Sequence, residues 1–404
     1  MSNNSDYGKP LFSHVNYCRR CCIPETQQGQ EFDEMGVCKA CQTSEHKMHI
    51  SWAKKEKELR QILEDAKANA GDNYDCILPL SGGKDSFFQA HILCKVYGMK
   101  ALGVTHNHNW YSETGWYNLQ LLLETFDMDH VMLTLGRGRV NRLAKRSLEM
   151  IGDTCWHCHG APNAFVLKMA STYQVPLIVW GESISEASGR ATYNCPVHRY
   201  DRDYFLNVSQ QKVTYEDMVC DYITKKDMAP FHVISQEEID KENIRGIHLG
   251  DYVFWDDERQ TEFVRDTYGW KETEVEGTYK GYKSAECIMP GMHDFTCYLK
   301  RGFGRATYQA SVDVRNGLLT REEGFELAKD IDRTIPEALD YYLKITGYSI
   351  DEFYEIMKKH QVEKLKGCEM PVKQRQTKNK EVIMPFYEQV LEKHRNRRDP
   401  REVD

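Results

Sequence analysis

The sequence predicts an α/β fold: a parallel twisted sheet with helices on both faces, preceded by a four-cysteine zinc knuckle and followed by a mostly helical C-terminal region. Three observations predict it. Between Asp75 and Trp180, apolar runs of strand length alternate with stretches of helical length. Two Cys-x-x-Cys pairs stand ahead of that alternation. From Gly246 onward the chain is rich in aromatic and charged residues.

The pairs are Cys18/Cys21 and Cys38/Cys41, with 16 residues between them. That spacing suits one ion held by four thiolates, each short pair giving two sulfurs. Cys22 competes with Cys21 for the second position; Cys21 keeps the pairs symmetrical. Four thiolates leave zinc no open position, so the expected role is structural. A disulfide framework is the alternative. A helix from Ser51 to about Ala70, with Trp52, Leu59, Ile62 and Leu63 on one stripe, links the knuckle to the α/β domain.

Asp75–Leu80 reads as a strand and Phe87 to about Tyr97 as a helix, with Ser81-Gly-Gly-Lys-Asp-Ser86 between them. Glycines there let successive N–H groups converge on a phosphate, and the helix start adds unpaired donors and a favourable dipole. Lys84 brings a cation; Ser81 and Ser86 bring hydroxyls. The Walker pattern does not fit, because four residues are not interposed before Gly-Lys. The motif resembles the PP-loop of the ATP pyrophosphatase superfamily, whose fold is adenine nucleotide alpha hydrolase-like. That resemblance implies cleavage of ATP between the α and β phosphates, adenylation of a carbonyl or carboxyl oxygen, and displacement of AMP by a nucleophile. The plainer reading is a serine-rich turn that binds nothing.

Strands are expected at Ala101–Thr105, His130–Leu135 and Val175–Trp180, with helices over Thr114–Phe126, Arg139–Ile151 and Ala161–Tyr173. Ligands of such sheets lie beyond the carboxyl ends of the strands. Ser81–Ser86, His106 and Gly181-Glu182 all fall there and are expected to line one crevice. Glu182 is a candidate to hold magnesium or steer an amine. Its plain reading is a helix cap or surface acid. His106, with His108 and Trp110, is a candidate contact to nucleotide or substrate, against a solvated loop.

Cys155-Trp-His-Cys-His159 leaves three readings open. Cys155 and Cys158 form a candidate second metal or iron–sulfur pair, completed by His157, His159, Cys195, His198 or Cys220. They are otherwise plain buried or substrate-facing thiols, or a redox pair. Lys300, Arg301 and Arg305, among glycines in Lys300–Thr307, are candidate ligands for an anionic substrate. The alternative is surface cations on an ordinary helical substructure.

The order of all these segments resembles the N-acetyl sugar amidotransferase family. The likeness runs from Tyr17-Cys-Arg-Arg-Cys21 through Cys38 and Cys41, Ser81–Ser86, Cys155 and Cys158, and Gly181-Glu182. It continues through Asp251-Tyr252, Trp255-Asp256 and Gly304-Arg-Ala-Thr307 to Asp313–Glu323. It implies conversion of an N-acetyl group on a bacterial surface sugar, in O-antigen or in pseudaminic- and legionaminic-type acids, to an acetamidino group. ATP, Mg2+ and Zn2+ are the implied cofactors. Lys84, Asp85 and Glu182 are the implied catalytic residues. Ser81–Ser86, His106 and Gly181 would contact the nucleotide. The expected segments are a knuckle (1–50), a linker helix (51–72), an ATP-binding α/β domain (73–235) and a helical substrate or partner region (236–404).

No Gly-x-Cys-x-Gly elbow occurs, and Ser2 follows Met1. Ammonia is therefore expected from partners, which the resemblance implies are a glutaminase and a channelling barrel like those of histidine biosynthesis. Lysine plus arginine is 53 against 61 for aspartate plus glutamate, a net charge of −8. That argues against a chain-wide nucleic-acid surface. A tRNA-modifying enzyme remains the alternative, and a non-catalytic nucleotide sensor a third class. The 404 residues carry no apolar run of transmembrane length and no signal-peptide core, so a cytoplasmic protein with its 14 cysteines reduced or metal-bound is expected.

Overall fold

The structure, a computed structural model, describes residues 6–183, 213–375 and 383–395. Among the described residues its sheet has five parallel strands: β1 (Cys76–Pro79), β2 (Ala101–Asn107), β3 (His130–Thr134), β4 (Leu177–Trp180) and β5 (Arg245–His248). Their order is β3-β2-β1-β4-β5. Ile77 of β1 pairs with Leu102 on one side and Ile178 on the other. Strand order reverses at β1, so the ends of β1 and β4 open a crevice there.

Alternate residues of each strand serve opposite faces. Ile77, Leu102, Val104 and Ile178 pack with Phe165, Val166 and Ala170. Cys76, Leu78, Leu177 and Val179 pack on the other side with Phe87, Leu93, Leu119 and Leu122. Burial on both faces explains why these strands read as continuous apolar runs.

The helices ahead of and within the sheet are α1 (Lys39–Lys47), α2 (Trp52–Ala70), α3 (Lys84–Ala90), α4 (Glu113–Phe126), α5 (Arg137–Ile151), α6 (Trp156–Tyr173) and α7 (Gln236–Lys241). Two starts fall three or more residues ahead of expectation. Helix α3 begins at Lys84, not Phe87, because Gly83 is its extended N-cap. It then widens into a π-helical turn over His91–Val96. Helix α6 begins at Trp156 with Cys155 as N-cap, so the Cys-x-x-Cys motif occupies its first turn. The fifth strand, β5, was not foreseen.

Helices dominate the rest: α8 (Asp257–Tyr268), α9 (Pro290–Arg301), α10 (Arg305–Arg315), α11 (Arg321–Asp332), α12 (Ala338–Thr346), α13 (Ile350–Lys359) and α14 (Phe386–Arg395). Reciprocal capping boxes start two of them, Thr320 with Glu323 and Ser349 with Glu352. Among the described residues, no helix is long and apolar enough to cross a membrane.

The knuckle is docked against this helical part. Arg321 Nε donates to the carbonyls of Cys18 (2.9 Å) and Cys21 (3.1 Å). Thr26 Oγ1 donates to Arg301 O at 2.6 Å. Lys47 Nζ reaches Trp255 O.

Candidate active site

The Ser81–Ser86 loop leaves the end of β1 and is held from several directions. Ser86 Oγ accepts from Ser81 N at 3.0 Å, and Ser81 Oγ accepts from Gly83 N at 3.2 Å. From outside, Tyr111 O–H donates to Ser81 O (3.0 Å) and Trp270 Nε1 to Gly82 O (3.1 Å). Gly82 has φ +84°, and a Cβ there would sit 3.0 Å from Gly115 O and Leu119 N. Only glycine adopts that backbone without strain. We predict that Gly82→Ala costs about 1–3 kcal/mol, read from urea unfolding, and misplaces the loop.

Lys84 is the buried cation of the site. Its Nζ is 2.6 Å from Asp85 Oδ1 and 2.7 Å from Asp257 Oδ1. Asp257 binds Lys283 through its other oxygen. Burial alone would discharge Lys84; the two carboxylates outweigh it and raise its pKa, keeping the ammonium. Asp257 opens α8, where the helix start favours a carboxylate. Burial opposes its ionisation, but Lys84 and Lys283 hold it well below the usual carboxylate range.

Two lobes of a cleft, each about 460 Å³, meet at this loop. Ser81, Asp85, Glu182, Glu286, His293 and Arg305 line both. The first lobe is walled by strand ends and α6: Leu80, Val104, His106, Val166, Trp180 and Gly181. His106 is buried, and neither ring nitrogen has a hydrogen-bond partner among the described residues. Burial lowers its pKa to about 4, so it is neutral and offers both a donor and an acceptor. The second lobe is polar and cationic, with Lys84, Lys283, Arg301 and Arg305 beside Tyr282 and Tyr308.

Glu182 lies where the strand ends predicted, and it also borders a third cavity with Arg20, Lys47, Asp257 and Lys283. Solvent still reaches its side chain inside the cleft. Enclosure by protein pushes its pKa up to about 7; Lys283 opposes this and Asp257 and Asp85 add to it. A carboxyl raised in the folded state is stabilising below about pH 4.5, and that contribution is lost as pH rises through about 7. Glu182→Gln should therefore raise the urea midpoint at pH 8 and leave it unchanged at pH 4; no difference at pH 8 would contradict the assigned environment.

Sequence reasoning missed three residues here. Asp257 is one position beyond the Trp255-Asp256 signal. Lys283 and Glu286 come from an irregular segment that the loop after β2 positions. Ser112 N donates to Glu286 O (2.9 Å) and Ser112 Oγ to Ala285 O (2.6 Å). Gly115 packs so closely there that a Cβ would lie 2.5 Å from Glu286 Cα.

Among the cations, Arg305 reaches both lobes and is oriented by Asp294 (Nε to Oδ2, 2.7 Å) and Ser284. Arg301 lines the second lobe and donates to Gln28 Oε1 at 3.4 Å. Lys300 corrects the expectation. It is buried, and its Nζ donates to Ile151 O at 2.6 Å, capping the C-terminus of α5 instead of lining the cleft.

The knuckle sulfurs of Cys18, Cys21, Cys38 and Cys41 all lie within 4.8 Å of one another and are buried. Tetrahedral zinc with bonds of about 2.3 Å sets its sulfurs about 3.8 Å apart. Cys18 and Cys41 are 3.9 Å apart, Cys21 and Cys38 3.7 Å. The donor set fits zinc. Cys22 stands apart, its Sγ directed to Arg321 O at 3.5 Å. The magnesium expectation is also compatible with the donors present, since Asp85, Glu182 and Glu286 present carboxylates to the cleft.

Cys155 groups with Asp153 and His293, their ligand-type atoms within 4.8 Å of one another. Cys158 is not in that group; its Sγ lies 3.4 Å from His157 Nε2. Contact with the Cys158 thiol lowers the Cys155 pKa; burial opposes this and His293 adds to it. His157 is buried edge-on against Trp110 at 4.8 Å, and His159 lines the first lobe. Cys220 sits in a turn bridged to Ile223. Cys195 and His198 lie outside the described residues.

Comparisons with known proteins come from two directions. Residues 276–374 match the family model described as LPS biosynthesis protein WbpG-like, C-terminal domain. That segment supplies Lys283, Glu286, His293 and Arg305 to the cleft. No curated protein matches the chain. Among solved structures, NMN synthetase from Francisella tularensis matches with 14% identity and a TM-score of 0.26, over 56% of this chain and 98% of its own. A likeness at that score carries no argument about function. The family-model match links the C-terminal helices, by description, to lipopolysaccharide biosynthesis.

Proposed function

We propose that this chain is an ATP-dependent amidotransferase that converts an N-acetyl group of a bacterial surface sugar to an acetamidino group. The observation that carries the reading is the position of the Ser81–Ser86 loop. It stands at the point where strand order reverses, beside Lys84 locked between two carboxylates. It also opens into a cleft walled by the segment that matches an LPS-biosynthesis family model.

The chemistry follows from the parts. An amide oxygen is a poor leaving group; adenylating it makes AMP the leaving group and exposes an imidate carbon to ammonia. The apolar lobe with neutral His106 suits a nucleoside. Loop N–H groups and Lys84 suit the pyrophosphate oxygens that gain charge. Asp85 and Glu286 would hold magnesium, which would supply further charge neutralisation when bound. Arg301 and Arg305 suit the anionic part of an activated sugar. Glu182, ionising near neutrality, is placed to relieve the attacking nitrogen of a proton. The four knuckle thiolates would leave a bound zinc no free position, so the ion would serve the fold. A glutaminase and a channelling barrel are the proposed ammonia suppliers.

The test is pyrophosphate release from ATP and ammonium across a panel of nucleotide-activated N-acetyl sugars and bulk tRNA, with mass spectrometry of the sugar. A sugar-dependent signal with oxygen exchanged for an NH group supports the reading. Release driven by tRNA alone, with no sugar altered, replaces it with tRNA modification. At a fixed concentration of free ammonia the rate should rise from pH 6 to pH 8 with a midpoint near the Glu182 value of about 7, and Glu182→Gln should flatten that limb.

A further inference from the structure

We propose that Cys155 is a covalent nucleophile of this site, served by His293 and Asp153, and that it receives the activated substrate carbon before ammonia does. The inference rests on the proposed adenylated-imidate chemistry.

The geometry is a carboxylate–imidazole–thiol cluster drawn from distant segments, its ligand-type atoms within 4.8 Å of one another, with Cys297 Sγ also 4.0 Å from His293 Nε2. His293 Nδ1 is 3.0 Å from Asp153 Oδ1. The same oxygen accepts from Cys155 N at 2.8 Å, which ties the carboxylate to the residue that carries the sulfur. Asp153 is buried, so its orientation is set by these bonds. His293 sits in the first turn of α9 and Cys155 caps α6. A nucleophile, a base in reach of it and a third group orienting the base make up the general logic of thiol and hydroxyl catalysis. What makes the group relevant to this reaction is its address. Cys155 and His293 line the lobe that also contains Ser81, Asp85 and Glu182.

In the step proposed, the Cys155 proton passes to His293. The sulfur attacks the imidate carbon, a C–S bond forms, and the C–O bond to AMP breaks with its electron pair leaving on AMP. Ammonia then attacks the same carbon. A C–N bond forms, and the C–S bond breaks to return a thiolate beside protonated His293. One proton of ammonia passes to Glu182, and the others stay with the amidinium product. No oxidant or reductant is needed. A thioimidate would hold the activated carbon on the enzyme until ammonia arrives.

The metal-loaded enzyme should be mixed with ATP and a panel sugar that supports pyrophosphate release, without ammonium, quenched in acid and peptide-mapped. The expected result is release of AMP with an imidoyl adduct on the Cys155 peptide, discharged by adding ammonium. Cys155→Ala should lower amidine formation by at least ~100-fold and His293→Gln comparably, while pyrophosphate release in the first turnover persists. Turnover of Cys155→Ala at the wild-type rate, with no adduct in wild type, overturns the proposal and leaves the amidotransferase reading standing.

If no sugar supports pyrophosphate release, that parent reading fails, and limiting iodoacetamide still judges the thiol. Alkylation of Cys155 ahead of Cys287 and Cys297, slowed by His293→Gln, supports a nucleophile. Equal labelling of the three overturns it. So does a metal retained in stoichiometric amount by Asp153, Cys155 and His293, beyond that of the four-cysteine cluster.

Discussion

Lys84→Ala is expected to lower pyrophosphate release by about 10²–10³-fold while leaving a folded protein. The size of the effect follows from what replaces the cation. Lys84 is 2% exposed, so no water takes over its charge cheaply when it is removed. Breaking a buried ion pair ordinarily costs about 3–5 kcal/mol. Here Asp257 keeps Lys283, and Asp85 is partly open to solvent, so the fold should lose less than that. Lys84→Arg is not a conservative control, because a guanidinium does not fit a site shaped for a compact ammonium. A coupled pyrophosphate assay alongside scanning calorimetry separates the two effects. An unchanged rate in a stable variant would remove the loop from the chemistry.

The second large effect is expected at the knuckle. Cys38→Ser should lose bound zinc and lower the melting temperature, and a strong chelator should do the same to the wild type. Structural zinc contributes about 10–16 kcal/mol in isolated finger peptides; in this chain docking by Arg321 and Thr26 shares the task. Activity should fall as well, since Arg20, Cys41 and Lys47 wall a cavity with Glu182, Asp257 and Lys283. Cys22→Ser is the matched control, because its sulfur faces Arg321 O and not the cluster. Metal analysis that finds zinc lost from Cys22→Ser and retained by Cys38→Ser would reverse the assignment.

How legible all this was depended on the range of each signal. β1, β2 and β4 were readable because burial on both faces writes an unbroken apolar run. β5 was not, because Arg245-Gly-Ile-His248 is short and half polar. The anion loop was readable because strand, glycines and helix are contiguous. Lys283 and Glu286 were not, since they reach the cleft from an irregular segment with no local pattern, and Asp257 was not, since an acid in a first helical turn reads as an ordinary dipole partner. His293 joins Asp153 across 140 positions, a separation no spacing rule spans. Lys300 misled because neighbouring cations in sequence looked alike, whereas α9 turns Lys300 toward the end of α5 and leaves Arg301 facing the cleft.

The late arrival of β5 has a consequence for synthesis on the ribosome. β4 pairs with β5 along its whole length, from Leu177↔Arg245 to Trp180↔His248. A nascent chain that has released β4 therefore waits for more than sixty further residues before that edge is covered. Meanwhile Leu-Ile-Val-Trp, four apolar residues in a row, stands as an open template for another chain. Fragments ending before Arg245 should collect as aggregates, whereas those that include β5 and the helices behind it should stay dispersed.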